Sequence, residues 1–208
     1  MDVYEWSESG PILETLHRHP DGKIGFVIYR THYDDDQKWA QFVKRLTDSA
    51  SYTLSHDDIC FSGDMRGEEL KKVFAYDIRD DKATLEDASV ADIRRIFCEW
   101  KNSVPDCPIM PKYDMCVLAD KEVIDSVMED ARPWKNDRPR GHVKLVRADH
   151  KKEWHEAKEG YPAIDGSTAH DVGWMKQAVA YLFPRLYSVL LRSSWGSEYR
   201  RPPRIRED

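Results

Sequence analysis

Apolar and polar residues recur along the chain with two periods, one typical of strands and one typical of helices. The segment 24–33, IGFVIYRTHY, is rich in β-branched and aromatic residues and follows a Pro-Asp-Gly turn, which predicts a strand. Three aspartates at 34–36 come next, and from Trp39 onward apolar residues recur at i, i+3, i+4 and i+7. Carboxylates before such a stripe cap free N–H groups and suit the positive end of a helix dipole. A strand, a tight turn and a helix are therefore predicted in this order.

The same order of strand and helix repeats twice more and ends with a further strand. These strands are predicted at 73–79, 113–119 and 142–147. The first of the two helices is predicted from about Ser89, because Ser89 and Asp92 have the spacing of a capping box. The second is predicted from Asp120, whose side chain is suited to cap it.

A long helix is predicted near the C-terminus, over about 168–191. Six apolar residues between Val172 and Val189 alternate at spacings of three and four, a narrow stripe that must lie against an apolar surface. Pro184 inside this segment removes a backbone donor and should kink the helix. The remaining residues, 193–208, hold four arginines and two prolines and are expected to form an extended tail.

These elements predict the α+β class, with a four-stranded sheet and packed helices. Two arrangements fit, a ferredoxin-like plait and a small α/β sandwich. The chain contains no internal repeat and no low-complexity linker, and its length of 208 residues suits one domain. We therefore expect a single α/β domain over 1–208, with flexible ends at about 1–20 and 193–208.

Charge and hydropathy favour an intracellular protein. The formal net charge of −6 at pH 7 disfavours diffuse attraction to nucleic acid or to an anionic membrane. The first residues lack the basic start and apolar run of a secretory signal, and no run approaches the roughly 18 apolar residues of a membrane span. We expect a cytoplasmic location, with the nucleus as an alternative, and no membrane partner.

The cysteines and histidines indicate neither disulfides nor a metal site. The four cysteines are scattered, and none forms the Cys-x-x-Cys pair of a zinc or redox site. Cys98 lies at a helix-core position and Cys116 in an apolar strand, so both are expected to be reduced, buried and unreactive. His150 and His155 are five residues apart, which does not match the i, i+4 spacing of helical metal ligands. No metal and no cofactor are therefore expected.

Three blocks of the sequence carry a resemblance to a known family. They are GFVIYRTHYDDDQKWAQFVKRL in the first third, HDVGWMKQAVAYLFPRLYSVLLR near the C-terminus, and the RRPP run in the tail. With these blocks the chain resembles a family of uncharacterised proteins from filamentous ascomycete fungi. The resemblance implies a fungal source. Because that family has no established activity, it supplies no catalytic residue.

The best candidate catalytic site is the end of the first predicted strand. Arg30 and His32 share one face of this strand, and Asp34 to Asp36 follow at its end, so an arginine, a histidine and carboxylates could converge there. A histidine beside a carboxylate suits acid–base catalysis, and an arginine suits an anionic substrate. Alternatively, Asp34 or Asp36 only caps the helix and Arg30 only pairs with an acid. Carboxylates in place of a glycine-rich turn argue against nucleotide binding in the usual mode.

A second candidate is a ligand site at the start of the predicted C-terminal helix, formed by His170, Asp171 and Trp174. Free N–H groups there could hold an anion while Trp174 walls a pocket. The alternative is that Asp171 caps the helix and Trp174 belongs to the core. The arginines of the tail could bind an acidic partner or be solvated. Nucleic acid is not expected, because the aromatic RNA-binding pattern of a plait is absent.

Two classes of function fit these residues. The first, preferred because no motif demands catalysis, is a non-catalytic intracellular module that binds a protein or small-molecule partner. The second is a small-molecule enzyme that uses Arg30, His32 and an adjacent aspartate as an acid/base site. An enzyme needs a concave site where these side chains converge, whereas a module needs an exposed apolar patch.

Overall fold

A single sheet of six strands organises the protein. The structure, a computed structural model, describes residues 8–18, 24–60, 66–128, 141–150 and 160–207. The strands are β1 (Val27–Arg30), β2 (Asp77–Arg79), β3 (Met115–Ala119), β4 (His142–Arg147), β5 (Trp174–Ala178) and β6 (Ile205–Arg206). Their order in the sheet is β2-β1-β3-β4-β5-β6.

Short and long helices connect these strands. The helices are α1 (Ser9–Arg18), α2 (Asp36–Cys60), α3 (Arg66–Val73), α4 (Lys82–Leu85), α5 (Val90–Ser103), α6 (Pro111–Asp114), α7 (Lys121–Met128), α8 (Tyr187–Leu190) and α9 (Trp195–Glu198). A 3₁₀ turn at Val179–Tyr181 and a π-helical turn at Leu182–Leu186 lie between β5 and α8.

Five of the six strands run in one direction. β1 pairs in parallel with β2 and with β3, and β5 pairs in parallel with β6, whereas β4 is antiparallel to both of its neighbours. The carboxyl ends of β1, β2, β3, β5 and β6 therefore meet at one edge, which we call the carboxyl edge. His142, the first residue of β4, lies at the same edge because it pairs with Ala178 at the end of β5.

Helices pack on both faces of the sheet. On the face that we call the first face, Ile28 of β1 belongs to one core with Phe42 of α2 and Val123 of α7. On the second face, Tyr29 of β1 packs with Phe97 of α5, and their ring centroids are 6.4 Å apart. Successive residues of a strand point to opposite faces, so β1 supplies both cores and is buried throughout its length.

The predicted β1–α2 connection is present, although β1 is shorter than predicted. Asp35 begins the helix, because its Oδ1 accepts a hydrogen bond from the Lys38 backbone N–H at 2.8 Å. Trp39, Phe42 and Leu46 are all buried, which confirms the predicted stripe. A turn rich in aspartate and an apolar stripe are enough to start this helix without help from distant residues.

The capping predictions for α5 and α7 are also confirmed. Ser89 and Asp92 form a reciprocal capping box at the start of α5, with the Asp92 N–H donating to Ser89 Oγ at 3.2 Å. Asp120 precedes α7 and its Oδ1 accepts from the Val123 N–H at 3.0 Å. These caps satisfy backbone donors at helix N-termini from within four residues, so they can be recognised in the sequence.

The mixed α and β composition is as predicted, but the four-stranded sheet is wrong. The sheet has six strands, and the two additional strands, β5 and β6, come from segments predicted as a helix and as a tail. A sheet of six strands, five of them parallel, is not a ferredoxin-like plait, which has four strands. The predicted sheet left one edge of β4 without a partner strand. Such an edge presents unpaired backbone N–H and C=O groups, and β5 pairs with them.

The prediction of one long helix over 168–191 is wrong as well. Gly173 has φ +76, a left-handed conformation that does not fit an α-helix, and the next residues pair with β4 as β5. Phe183 has an extended backbone, with φ −143 and ψ 136. The apolar residues Met175 and Leu186 of the predicted stripe are nevertheless fully buried, because strand, turns and helix in succession present them to the same core.

The residues after α8 fold back onto the body of the protein. Trp195, Tyr199, Arg201 and Arg206 are buried, and β6 pairs in parallel with β5. An extended tail is therefore not observed within 193–207. The flexibility expected at 1–20 and 193–208 stays a prediction.

Candidate functional site

Arg30 lies at the end of β1 with only 4% of its side chain exposed. Its Nη2 donates to Asp36 Oδ1 at 2.6 Å, and its Nη1 lies 3.4 Å from Asp80 Oδ2. Its Nε donates to the backbone oxygen of His32 at 2.9 Å. All three nitrogens of the guanidinium therefore contact acceptors of this chain, at the turns that follow β1 and β2.

Two aromatic rings enclose the same guanidinium. Arg30 Cζ lies 4.4 Å from the ring centroid of Tyr33 and 5.1 Å from that of Trp39, both within cation–π range. Burial and the nearby Asp80 carboxylate raise the pKa of Tyr33 to about 12, because both disfavour the phenolate. The neutral Tyr33 hydroxyl donates to the Arg30 backbone oxygen at 3.0 Å. The geometry thus gives Arg30 a positioning role and leaves it poorly placed to receive an anionic substrate.

His32 lies beside Asp34 at the same turn. Its Nε2 is 3.5 Å from Asp34 Oδ2, and 22% of the histidine side chain is exposed against 79% of the aspartate side chain. The four candidate residues therefore form two adjacent pairs, Arg30 with Asp36 and His32 with Asp34. Asp36 is 85% exposed, but its carboxylate is held by the Arg30 guanidinium, so the second pair is the one that offers an imidazole for proton exchange with a bound molecule.

The two pairs lie at a topological switch point of the sheet. β1 has β2 on one side and β3 on the other, and α2 packs on the first face while α5 packs on the second. The chain leaves β1 toward β2 and leaves β3 toward β4, so the strand order reverses between β1 and β3, although the helices that follow these two strands, α2 and α7, both pack on the first face. The carboxyl ends of strands at such a reversal are where α/β sheets bind ligands. The Thr31 N–H donates to the Ala119 oxygen at 3.0 Å, so the ends of β1 and β3 are held side by side.

The ligand site predicted at His170, Asp171 and Trp174 required the start of a helix there. No helix begins near His170 in the described range 160–207. His170 is exposed, whereas Asp171 is buried and accepts from the Gly173 N–H at 2.7 Å and from Trp195 Nε1 at 2.9 Å. Free helical N–H groups are therefore not available there for an anion. Asp171 instead joins the loop before β5 to α9.

Trp174 has a structural position rather than a pocket-wall position. It is buried as the first residue of β5, and its Nε1 donates to Asp165 Oδ2 at 3.0 Å. The Lys144 ammonium lies 5.6 Å from the centroid of its ring. This outcome matches the alternative that placed Trp174 in the core.

Two of the tail arginines are built into the structure. Arg201 is buried, and its Nη2 donates to the Pro162 backbone oxygen at 2.6 Å. Arg206 is also buried, and its Nη2 contacts Glu198 Oε2 at 2.7 Å. These two side chains bind acceptors of this chain and do not form a solvated basic tail.

A charged group that the sequence analysis did not identify lies at the carboxyl edge on the second face. We call it the basic cluster; it consists of His142, Lys144 and Lys176 around the carboxylate of Glu122. Lys144 Nζ is 2.7 Å from Glu122 Oε2, while His142 Nε2 is 3.3 Å from Oε1, which Lys176 also contacts. His142 and Lys144 alternate on β4, a signal visible in the sequence. Lys176 was assigned to a helix, and this error hid the group.

The electrostatics of the basic cluster depend on its burial. Burial alone would raise the pKa of Glu122, but hydrogen bonds from Lys144 and Lys176 outweigh it and lower this pKa to about 2. Burial and the positive charge of Lys176 lower the pKa of His142 below its ordinary value, against the opposing attraction of Glu122. At neutral pH the cluster therefore holds an ionised carboxylate and a neutral imidazole.

Comparisons of the chain with protein-family models, with curated proteins and with solved structures found no match. In the part of the chain that the structure describes, no helix is long and apolar enough to cross a membrane. Among the same residues, no group of three or more His, Cys, Asp or Glu side chains could hold a metal ion. The fold and site define a mixed α/β protein with polar side chains at the point where its strand order reverses.

Proposed function

We propose that the protein binds a small polar molecule in the crevice between the ends of β1 and β3 and acts on it as an acid/base enzyme. The strand order of the sheet is the observation that carries this proposal, because α/β sheets bind ligands where the strand order reverses, as it does between β1 and β3. His32 and Asp34 are the acid/base pair, and Arg30 holds the turn that presents them. The sequence alone favours a non-catalytic module, but it does not contain the strand order.

The proposed roles follow from the geometry. The His32 backbone oxygen accepts from Arg30 Nε, which fixes the turn, while the His32 ring remains free to face the crevice. Asp34 can orient the ring and stabilise its protonated form, as a carboxylate does for a catalytic histidine. The reactant that fits this pair is a small molecule that gains or loses one proton.

A binding screen by protein NMR tests this proposal. The probes are small neutral sugars, amino acids and carboxylic acids, added singly to the isotope-labelled protein. Binding at the crevice should shift the backbone amides of Thr31 and Ala119 together with the ring resonances of His32. Asp34→Asn should weaken such binding. Asp48→Asn, which makes the same charge change at an exposed carboxylate on α2 paired with Lys44, should leave it unchanged.

Two outcomes contradict the proposal. The first is a set of binding shifts confined to surfaces away from β1 and β3. The second is equal weakening by Asp34→Asn and by the control Asp48→Asn, because the effect would then be general electrostatics rather than contact.

A second candidate function, a protein-interaction module, is favoured by one residue. Ile109 is 89% exposed in the loop between α5 and α6, and the residues that follow it, Met110 and Pro111, are buried. A loop anchored in this way presents an apolar side chain to solvent, and such side chains occur at the centres of protein interfaces. Photo-crosslinking from position 109 in source cells should trap one defined partner, which excess wild-type protein displaces. Equal displacement by Ile109→Ser would contradict this candidate.

A further inference from the structure

The basic cluster is arranged like a site for an anion. Three side chains that can donate hydrogen bonds converge on one carboxylate from β4 and β5, two neighbouring strands of the sheet. Lys144 and Lys176 are only 12% and 15% exposed, and His142 is 9% exposed, whereas Glu122 is 48% exposed. The donors therefore lie beneath, and the carboxylate of Glu122 lies between them and solvent.

The number of acceptor oxygens does not match the number of donors. Glu122 Oε1 serves both Lys176 and His142 Nε2, and Oε2 serves Lys144. Each carboxylate oxygen can accept two hydrogen bonds, so Glu122 satisfies all three donors with one oxygen shared. A tetrahedral phosphate group presents three oxygens to one side and can give a separate acceptor to each donor.

The position in the fold also suits a ligand. Lys144 pairs with Leu118 in the register of β3 and β4, and Leu118 belongs to the core of the second face. Trp39, which encloses Arg30, belongs to the core of the first face. The donors of the basic cluster therefore lie on the second face, at the carboxyl edge where α/β sheets bind ligands.

We propose that the basic cluster binds the phosphate group of a small phosphorylated molecule, which takes the place of the Glu122 carboxylate between Lys144, Lys176 and His142. In the absence of ligand the Glu122 carboxylate occupies the site, and its side chain turns toward solvent when the ligand binds. This inference does not depend on the proposed function of His32.

The charges around the site support exchange of one anion for another. Asp120 Oδ2 is 2.5 Å from Lys144 Nζ, so this carboxylate neutralises part of the positive charge. With Glu122 displaced, two lysines face one aspartate, and a singly charged phosphate restores the balance. A neutral His142 can donate one hydrogen bond from Nε2, and a protonated His142 adds a further positive charge.

Phosphate binding to variants of the full chain tests the proposal, with inorganic phosphate as the probe and calorimetry as the measurement. Glu122→Gln keeps the shape of the side chain and removes its charge, so it should bind phosphate about tenfold more tightly than wild type, the factor expected for loss of one competing charged hydrogen bond. Glu86→Gln is the matched control, because Glu86 is 45% exposed and pairs with Lys82 away from the cluster. It should bind like wild type.

Two further arms identify the ligand chemistry and the residues. Glu122→Gln should raise the affinity for acetate less than the affinity for phosphate, because acetate offers two oxygens to the three donors and phosphate offers three. Adding Lys144→Met to Glu122→Gln should abolish the gain. Lipid vesicles containing a phosphoinositide should bind no better than free phosphate, since the proposed ligand is a small molecule.

The proposal is overturned if Glu122→Gln binds phosphate no more tightly than wild type while its circular dichroism spectrum shows that it is folded. It is also overturned if the gain survives Lys144→Met. Should Glu122→Gln fail to fold, the wild-type protein decides: saturating phosphate must shift the ring resonances of His142, and chloride of equal ionic strength must not. Absence of that difference overturns the proposal, whatever the His32 crevice binds.

Discussion

Replacing Trp195 tests whether the C-terminal segment is part of the core. The Trp195 side chain is 5% exposed, its ring centroid lies 5.4 Å from that of Tyr199, and its Nε1 donates to the buried Asp171 at 2.9 Å. Truncating a large buried aromatic side chain costs about 3–5 kcal/mol. Trp195→Ala should therefore lower the free energy of unfolding by about that amount.

Two other variants separate the contributions. Trp195→Phe keeps most of the ring but removes the N–H, so its cost should be about 1–3 kcal/mol, the penalty for removing a donor from a buried acceptor. Arg204→Ala is the control in the same segment, because Arg204 is exposed and exposed positions usually change stability by less than about 0.5 kcal/mol.

Urea unfolding followed by circular dichroism measures all three variants, since this signal does not depend on the tryptophan itself. The expected order of destabilisation is Trp195→Ala, then Trp195→Phe, then Arg204→Ala. A loss below about 1 kcal/mol for Trp195→Ala would refute the reasoning, because it would mean that the segment is not packed on the body in solution.

Three further predictions concern a cap, a thiol and acid stability. Ser89→Ala should cost about 1 kcal/mol in urea unfolding, because it removes one side of a formed capping box; unchanged stability would contradict the cap. Burial raises the pKa of the Cys116 thiol, so a thiol reagent should label it only after unfolding, and rapid native labelling would count against its burial. Because the pKa of His142 is lowered in the folded protein, the free energy of unfolding should fall as the pH drops below 6.5. Because the pKa of Glu122 is lowered to about 2, the stabilisation that it gives above pH 4.5 should be lost as the pH falls toward 2. Because other carboxylates such as Asp125 also have lowered pKa values, the test is the difference between wild type and Glu122→Gln: urea midpoints that change equally with pH in both would contradict the coupling of Glu122 to folding.

Local signals account for the parts of the fold that were predicted correctly. The Asp35 cap of α2, the capping box of Ser89 and Asp92, and β4 over 142–147 all depend on residues within a few positions of one another. Their hydrogen bonds and their apolar residue patterns are properties of short segments, so a sequence pattern identifies them.

The candidate site was predicted only in part. The sequence places Arg30, His32 and Asp34 at one turn, and the structure shows them there. It does not reveal that Asp80 and Trp39 also contact the guanidinium, and Asp80 is fifty residues away along the chain. Arg30 pairs with acids of this chain, which is the alternative given from the sequence, while its partner Asp80 could not be predicted because a buried guanidinium takes its partners from whatever the tertiary structure brings near.

The sequence by itself determined the mixed α and β character, several helix starts and the apolar residues that form the core. Only the tertiary structure decided the strand order, the identity of β5 and β6, and the grouping of Glu122 with His142, Lys144 and Lys176. The physical reason is that a spacing of three and four apolar residues specifies burial but not the backbone that achieves it. For Trp174–Ala178 the open edge of β4 supplied the hydrogen-bond partners, and this pairing outweighed the helical pattern.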